Sequence, residues 1–259
     1  MDLQLNGRTV LVTGASSGVG LETGRLLLEE GANLAACARD LDRLKAAYDG
    51  IDPDRLLLAA VDVTDRHGVE GFVEEAVARF GGLDGVVCNA GRSLMARLPE
   101  TEDDAIREEF ELKIFGSWNV VRAARKALAA SDAGSVVNVN AILSRQPEAR
   151  LAVTSAARAA LLNLTRTMAE ELGADGTRVN SVLLGLIDTG QWRRRYDAAG
   201  TGQTYEEWAA AIAADRGIAL GRFGTAAEVA FPIITLLSPR SGFTTGTSID
   251  VGGGVSRYL

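Results

Sequence analysis

The sequence predicts an α/β protein organised around a doubly wound parallel sheet of about seven strands, with helices on both faces. Three observations predict it. Short apolar and β-branched runs alternate along the chain with longer stretches of helical periodicity. The first of these runs leads through a glycine-rich turn, Thr13-Gly14-Ala15-Ser16-Ser17-Gly18-Val19-Gly20, into an apolar segment. Finally, 259 residues of which 47% are hydrophobic can bury one full α/β core without splitting.

Thr9, Val10, Leu11 and Val12 make residues 8–12 the first strand, and Leu21, Leu26, Leu27 and Leu28, with no proline before Gly31, make the following segment a helix. This strand, turn and helix is the Rossmann-type nucleotide signature. Glycines at 14, 18 and 20 let the backbone turn tightly and approach a pyrophosphate, and free N–H groups at the helix start face its charge. Gly14, Ser16, Ser17, Gly18, Val19 and Gly20 are therefore expected to bind a dinucleotide. Further strands are expected at 33–38, 56–63, 83–89, 135–140, 178–184 and 248–251, joined by right-handed helical crossovers. Asp40 lies past the second strand and reads as the cap of a helix beginning near Leu41. The helix from Thr154 to about Leu172 carries a stripe of Ala157, Leu161, Leu164, Met168 and Leu172, which reads as core or subunit contact. Residues 189–221, rich in Arg, Trp, Tyr and Gly, are expected to be the least regular stretch, a substrate lobe rather than a domain. With no repeat or linker in between, 1–259 reads as a single domain.

A net charge of −7 argues against a nucleic-acid partner, whose phosphates it would repel. Cys37 and Cys88 both fall in strand-like runs, which points to reduced thiols and a cytoplasmic protein. The first strand follows the N-terminus too closely for a signal peptide, and no apolar run is long enough to span a bilayer. His67, the only histidine, reads as a surface helix residue, so no metal site and no Ser-His-Asp triad is expected.

Thr13-Gly-x-x-x-Gly-x-Gly20, Asp62-Val63 after the third strand, Asn89-Ala90-Gly91 after the fourth, Arg178-Val179-Asn180 into the sixth and Gly252-Gly253 near the end resemble the short-chain dehydrogenase/reductase family. The resemblance covers essentially the whole chain. It implies that Asp62 and Val63 contact the adenine, that Asn89, Ala90 and Gly91 stabilise the sheet beside the cofactor, and that Ile187 and Thr189 meet the nicotinamide amide.

The family's catalytic set is an Asn, a Ser, a Tyr and a Lys, and every slot is changed here. Lys113 stands where the Asn is expected, Ala141 where the Ser is expected, and Thr154 and Arg158 replace the Tyr and Lys. In the family the Tyr is the acid/base and the Lys lowers its pKa and holds the nicotinamide ribose. A phenol can be tuned toward neutrality, whereas the aliphatic hydroxyl of Thr154 has no accessible ionisation. Arg158 keeps a charge and several donors for the ribose hydroxyls. Lys113 and Arg158 then bring together two cations, and the four slots hold no carboxylate to balance them. Either Lys113 turns to solvent, or the pair forms an anion site beside the cofactor, extended by Arg145 and Arg150. Ser144 and Ser155 lie near the vacant slots without a base, and the basic run Trp192-Arg193-Arg194-Arg195-Tyr196 reads as a solvated face, with a site for a carboxylate or a CoA phosphate as the alternative.

Ala38 stands where NAD-binding relatives carry an acid, and Arg39 follows it, which favours NADP(H) over NAD(H). The expected protein is an NADP(H)-binding oxidoreductase with a non-standard or impaired active site, using Lys113, water or the substrate as proton donor. The alternative is a catalytically silent dinucleotide-binding or scaffold subunit. A cofactor-free dehalogenase of the superfamily matches only Arg158 and is opposed by the intact glycine turn. A small, anionic substrate or ligand and a homo-oligomer built through helices around 101–130 and 154–172 complete the expectation.

Overall fold

The strands β1 (Thr9–Thr13), β2 (Asn33–Ala38), β3 (Leu56–Ala60), β4 (Gly85–Cys88), β5 (Ser135–Ala141), β6 (Arg178–Leu184) and β7 (Ser248–Val251) form one parallel sheet in the order β3-β2-β1-β4-β5-β6-β7. This is seen in a computed structural model of the protein, which describes residues 2–258. The central strands are buried on both sides, so their sequences read as apolar runs. Val10, Val12, Leu34 and Ala36 point to one face, where helices α1 (Gly18–Glu29) and α9 (Ala226–Leu237) cover them. Leu11, Ala35, Val86 and Val136 point to the other, under α3 (Arg66–Phe80), α5 (Gly116–Ala130) and α6 (Ala152–Gly173). The alternation is that of a pleated strand, and each crossover joins parallel neighbours except that from β3, which carries the chain past β2 and β1 to β4.

Short polar contacts fix the ends of these elements. Asp40 accepts the Arg43 N–H at 3.0 Å and so caps α2 (Leu41–Ala47). Buried Arg178 donates to the carbonyls of Leu236, Leu237 and Ser238, closing the C-terminus of α9. Asn180 holds the turn before β7 through Thr244 O and the Thr247 N–H.

Two expectations are corrected. The third strand stops at Ala60, because the Val61 N–H still reaches Ala38 O but Asp62 turns back to accept from Thr64. Residues 189–221 are mostly helical, with α7 (Gly190–Ala199) and α8 (Tyr205–Arg216). Their order comes from an aromatic cluster: Trp192 lies 4.8 Å from Phe223, and Tyr196 lies 5.4 Å from Tyr205 and 5.6 Å from Trp208 between ring centroids. Tyr205 Oη donates to Asp188 at 2.5 Å, and a Thr204/Glu207 capping box starts α8, so the pair of helices is anchored to the end of β6.

Candidate active site

The carboxyl ends of the strands open into a cleft of about 1270 Å³, centred where the strand order reverses between β1 and β4. Of the residues assigned above to the dinucleotide, all but Gly20 line it. Gly14 has φ +66°, and a Cβ there would lie 2.8 Å from Ala90 Cα, so the turn passes against the β4 end with no room for a side chain. Gly20 lies beneath, packed on Gly14 O and Asn89 Nδ2. Asn89 Nδ2 donates to Thr13 O at 3.0 Å and Gly14 O at 3.1 Å, while Thr13 Oγ1 accepts from the Asn89 and Ala90 N–H groups at 3.0 Å. These bonds set the cleft floor.

At one end Arg39 is exposed on the cleft wall, and its guanidinium makes no hydrogen bond or ion pair among the described residues. Arg43, in the first turn of α2, lines the cleft as well. It was not among the candidates above, since Arg39 precedes the Asp40 cap and the spacing between the two does not place them on one helix face. Asp62 accepts from the Thr64 N–H at 2.9 Å and the Thr64 hydroxyl at 2.7 Å, which hold its carboxyl below its ordinary range.

At the other end the four changed slots divide. Ala141 and Arg158 line the cleft, whereas Lys113 and Thr154 do not. Thr154 is fully buried; its hydroxyl donates to Glu109 Oε1 at 2.7 Å and accepts from the Leu94 N–H at 2.9 Å. Lys113 is only 4% exposed and sits on a π-helical turn, Glu111–Phe115, between α4 (Asp103–Phe110) and α5. Its Nζ donates to Arg92 O and lies 3.6 Å from Glu109 Oε1. Lys113 therefore does not turn to solvent. The expectation of two unbalanced cations is also corrected: Glu109, one turn before Lys113 and 1% exposed, supplies the carboxylate. Burial, followed by the charge of Arg158, pushes the Lys113 ammonium down to about 7, against the opposing pull of Glu109.

Arg158 is half-buried and under-bonded. Its Nε is buried with no partner, and Nη1 has only long contacts to Val139 O at 3.4 Å and Asn140 Oδ1 at 3.5 Å. Burial lowers it to about 10, so the guanidinium stays charged at neutral pH. A cavity of about 20 Å³, roughly the room of one water molecule, lies behind it beside Lys113 and Ser117. Among the described residues, Arg158 is the only charged one that lines both this cavity and the cleft.

The remaining candidates separate in the same way. Arg145 donates to Ser248 Oγ at 2.7 Å and stacks on Tyr258, outside the cleft, while Arg150 lines it. Ser144 and Ser155 donate to the carbonyls of Ala141 and Leu151, and His67 lies on the exposed side of α3. The run 192–196 is not merely a solvated face: Trp192, Arg194 and Arg195 form the cleft wall opposite the strands, and Arg193 pairs with Asp188. Among the described residues there is no cluster of potential metal ligands and no helix long and apolar enough to cross a membrane. Cys37 and Cys88 are free, buried thiols.

A glycine turn at the switch point of a doubly wound sheet, beneath one long cleft, defines a nucleotide-cleft α/β domain. The chain belongs to the short-chain dehydrogenase/reductase family of oxidoreductases. Residues 14–256 match the family described as enoyl-(acyl carrier protein) reductase. The chain is 32% identical over 259 residues to a 3-oxoacyl-(acyl-carrier-protein) reductase of Thermotoga maritima, covering 98% of this chain and 99% of the relative. It is 36% identical over 253 residues to cis-4-hydroxycyclohexanecarboxylate dehydrogenase of Sinomonas cyclohexanicum, covering 95% and 96%. Among solved structures, a short chain oxidoreductase of Pseudomonas aeruginosa PAO1, described as containing an atypical catalytic center, superposes in its apo form with a TM-score of 0.95 at 42% identity, covering 98% and 99%. Its NADPH-bound form superposes with a TM-score of 0.92, covering 97% and 98%.

Proposed function

We propose that the protein is an NADP(H)-dependent oxidoreductase of small carbonyl or alcohol compounds, in which Arg158 and Lys113 take over the work of the family's tyrosine and lysine. The observation that carries this reading is the Arg158 guanidinium, held at the inner end of the cleft with its donors unfilled and backed by the buried ammonium of Lys113. The NADPH-bound relative at 42% identity supports the choice of cofactor. So does Arg39, a free cation at the end of β2 where Ala38 leaves no carboxylate.

When bound, the nicotinamide supplies the hydride for reduction or accepts it in oxidation. The N–H groups from Ser16 to Val19 bind the pyrophosphate, and Arg39 with Arg43 binds the 2′-phosphate. Asp62, Val63, Asn89, Ala90, Gly91, Ile187 and Thr189 complete the cofactor site along the cleft floor and its ends. Arg158 donates to the ribose and to the substrate oxygen, where its charge stabilises negative charge as it develops. Lys113 holds the proton that this oxygen receives, passed through the small cavity, and a pKa near 7 suits a group that gives up and regains a proton at neutral pH. Glu109 and Thr154 are positioning residues for Lys113. The lobe of α7 and α8 forms the outer wall over the substrate. The half-exposed Phe115, on the segment 101–130, fits the homo-oligomer contact assigned to those helices.

Titration of NADPH and NADH into the protein, followed by NADPH oxidation with a panel of small ketones, tests the proposal. It requires tighter NADPH binding and a turnover that Arg158→Met removes. Equal NADH binding, or turnover indifferent to Arg158→Met, overturns it.

A further inference from the structure

The outer half of the cleft concentrates positive charge in a protein whose net charge is −7. Arg150, ahead of α6, and Arg194 and Arg195, on α7, line it from two walls. Their guanidinium groups make no ion pair or hydrogen bond among the described residues. Arg216, on α8, faces the same space but is committed to Glu148. Asp215, exposed beside it, forms no ion pair with any of them.

Arg195 is half-buried and laid over Trp192, with its Cζ 4.5 Å from the ring centroid, so its planar head is fixed at the cleft. Burial and the charges of Arg150 and Arg216 press against its protonation, and an anion between these groups relieves that repulsion. Between this end and Arg158 the lining turns apolar, with Ile142, Leu151 and Trp192. Arg194 leans toward Gly190, on the cofactor side, and is left out of the assignment.

We propose that Arg150 and Arg195 bind a carboxylate at the end of the substrate remote from the reacting carbon, so that the protein acts on an oxo or hydroxy acid with an apolar body. The inference rests on the oxidoreductase reading of the cleft and names its substrate class. In the reduction the carbonyl carbon takes the hydride of NADPH and the oxygen takes one proton. The products are the hydroxy acid and NADP⁺, and the carboxylate is unchanged. A guanidinium pair suits this task because its planar donors meet both carboxylate oxygens.

Calorimetric titration of the NADP⁺-loaded protein with 4-oxocyclohexanecarboxylate, cyclohexanecarboxylate and hexanoate, against the three corresponding amides and hexyl phosphate, tests the site. The carboxylates should bind about tenfold or more tighter than their amides. Arg195→Gln and Arg150→Gln should each shrink that preference to about threefold or less. Amides binding as well as carboxylates, a preference that survives both substitutions, or binding of hexyl phosphate alone each overturn the proposal. If NADP⁺ itself fails to bind, the oxidoreductase reading falls, while the carboxylate-to-amide ratio measured on the free chain still decides the subsite.

Discussion

Replacing the buried pair Lys113 and Glu109 together, as Lys113→Met with Glu109→Gln, should change how stability depends on pH. Lys113 titrates near 7 in the folded protein against an ordinary value of 10.5. Between those values the unfolded chain binds one proton more than the folded one, so stability rises as pH rises. The slope is on the order of 1 kcal/mol per pH unit, which amounts to about 2–3 kcal/mol from about pH 7 to about pH 9. For a chain of this size that is a gain of roughly 5–10 °C in melting temperature. The double variant has neither charge and lacks this component, and exchanging a buried pair for neutral side chains of similar size is itself close to neutral in stability. The unfolded thiols of Cys37 and Cys88 lose their protons near the ordinary value while the buried ones, pushed up to about 12, keep theirs; this opposes the gain above about pH 8 equally in both proteins and drops out of the difference. Calorimetric melting of both proteins across the range isolates the difference. Parallel curves would refute the buried, weakly basic Lys113.

Three further outcomes follow from the same contacts. Thr154→Val removes the hydroxyl shared by Glu109 and the Leu94 N–H and should cost about 2–3 kcal/mol in urea unfolding; a loss below about 0.5 kcal/mol would show that neither bond matters. Arg39→Ala should weaken NADPH by about ten- to a hundredfold, the worth of a charge-assisted phosphate contact, and leave NADH unchanged in calorimetry. Gly14→Ala forces a Cβ against Ala90 at φ +66° and should lower NADPH affinity by about tenfold or more, whereas Gly71→Ala, which meets open space, should not.

Much of this was legible in the sequence, and the exceptions have physical causes. Strands 33–38 and 178–184 could be read to the residue because each follows a glycine turn, at Gly31 and Gly176, and is mostly apolar. The third strand was overread because Val61 and Val63 continue the apolar pattern while the Asp62 turn, a local hydrogen-bond effect, ends the pairing. The helices of 189–221 were hidden because their order comes from aromatic contacts between segments; the Thr204/Glu207 capping box was the available local signal. Lys113, Ala141, Thr154 and Arg158 could be located by spacing, but not sorted into cleft and interior. Glu109 lies four residues before Lys113, a spacing that usually marks an exposed helix pair, and nothing in one sequence says that both are buried. The π-helical turn that carries Lys113 inward likewise has no sequence signature here.

The most direct test of proton supply by Lys113 is the pH dependence of kcat/KM for NADPH-dependent reduction of 4-oxocyclohexanecarboxylate by the natural protein and by the Lys113→Met, Glu109→Gln double variant. If the buried ammonium supplies the proton, the rate of the natural protein falls as pH rises through a value near 7. The variant should then be slower by about a hundredfold and should lose that fall. Equal rates with superimposable profiles would contradict it and leave the proton to another donor.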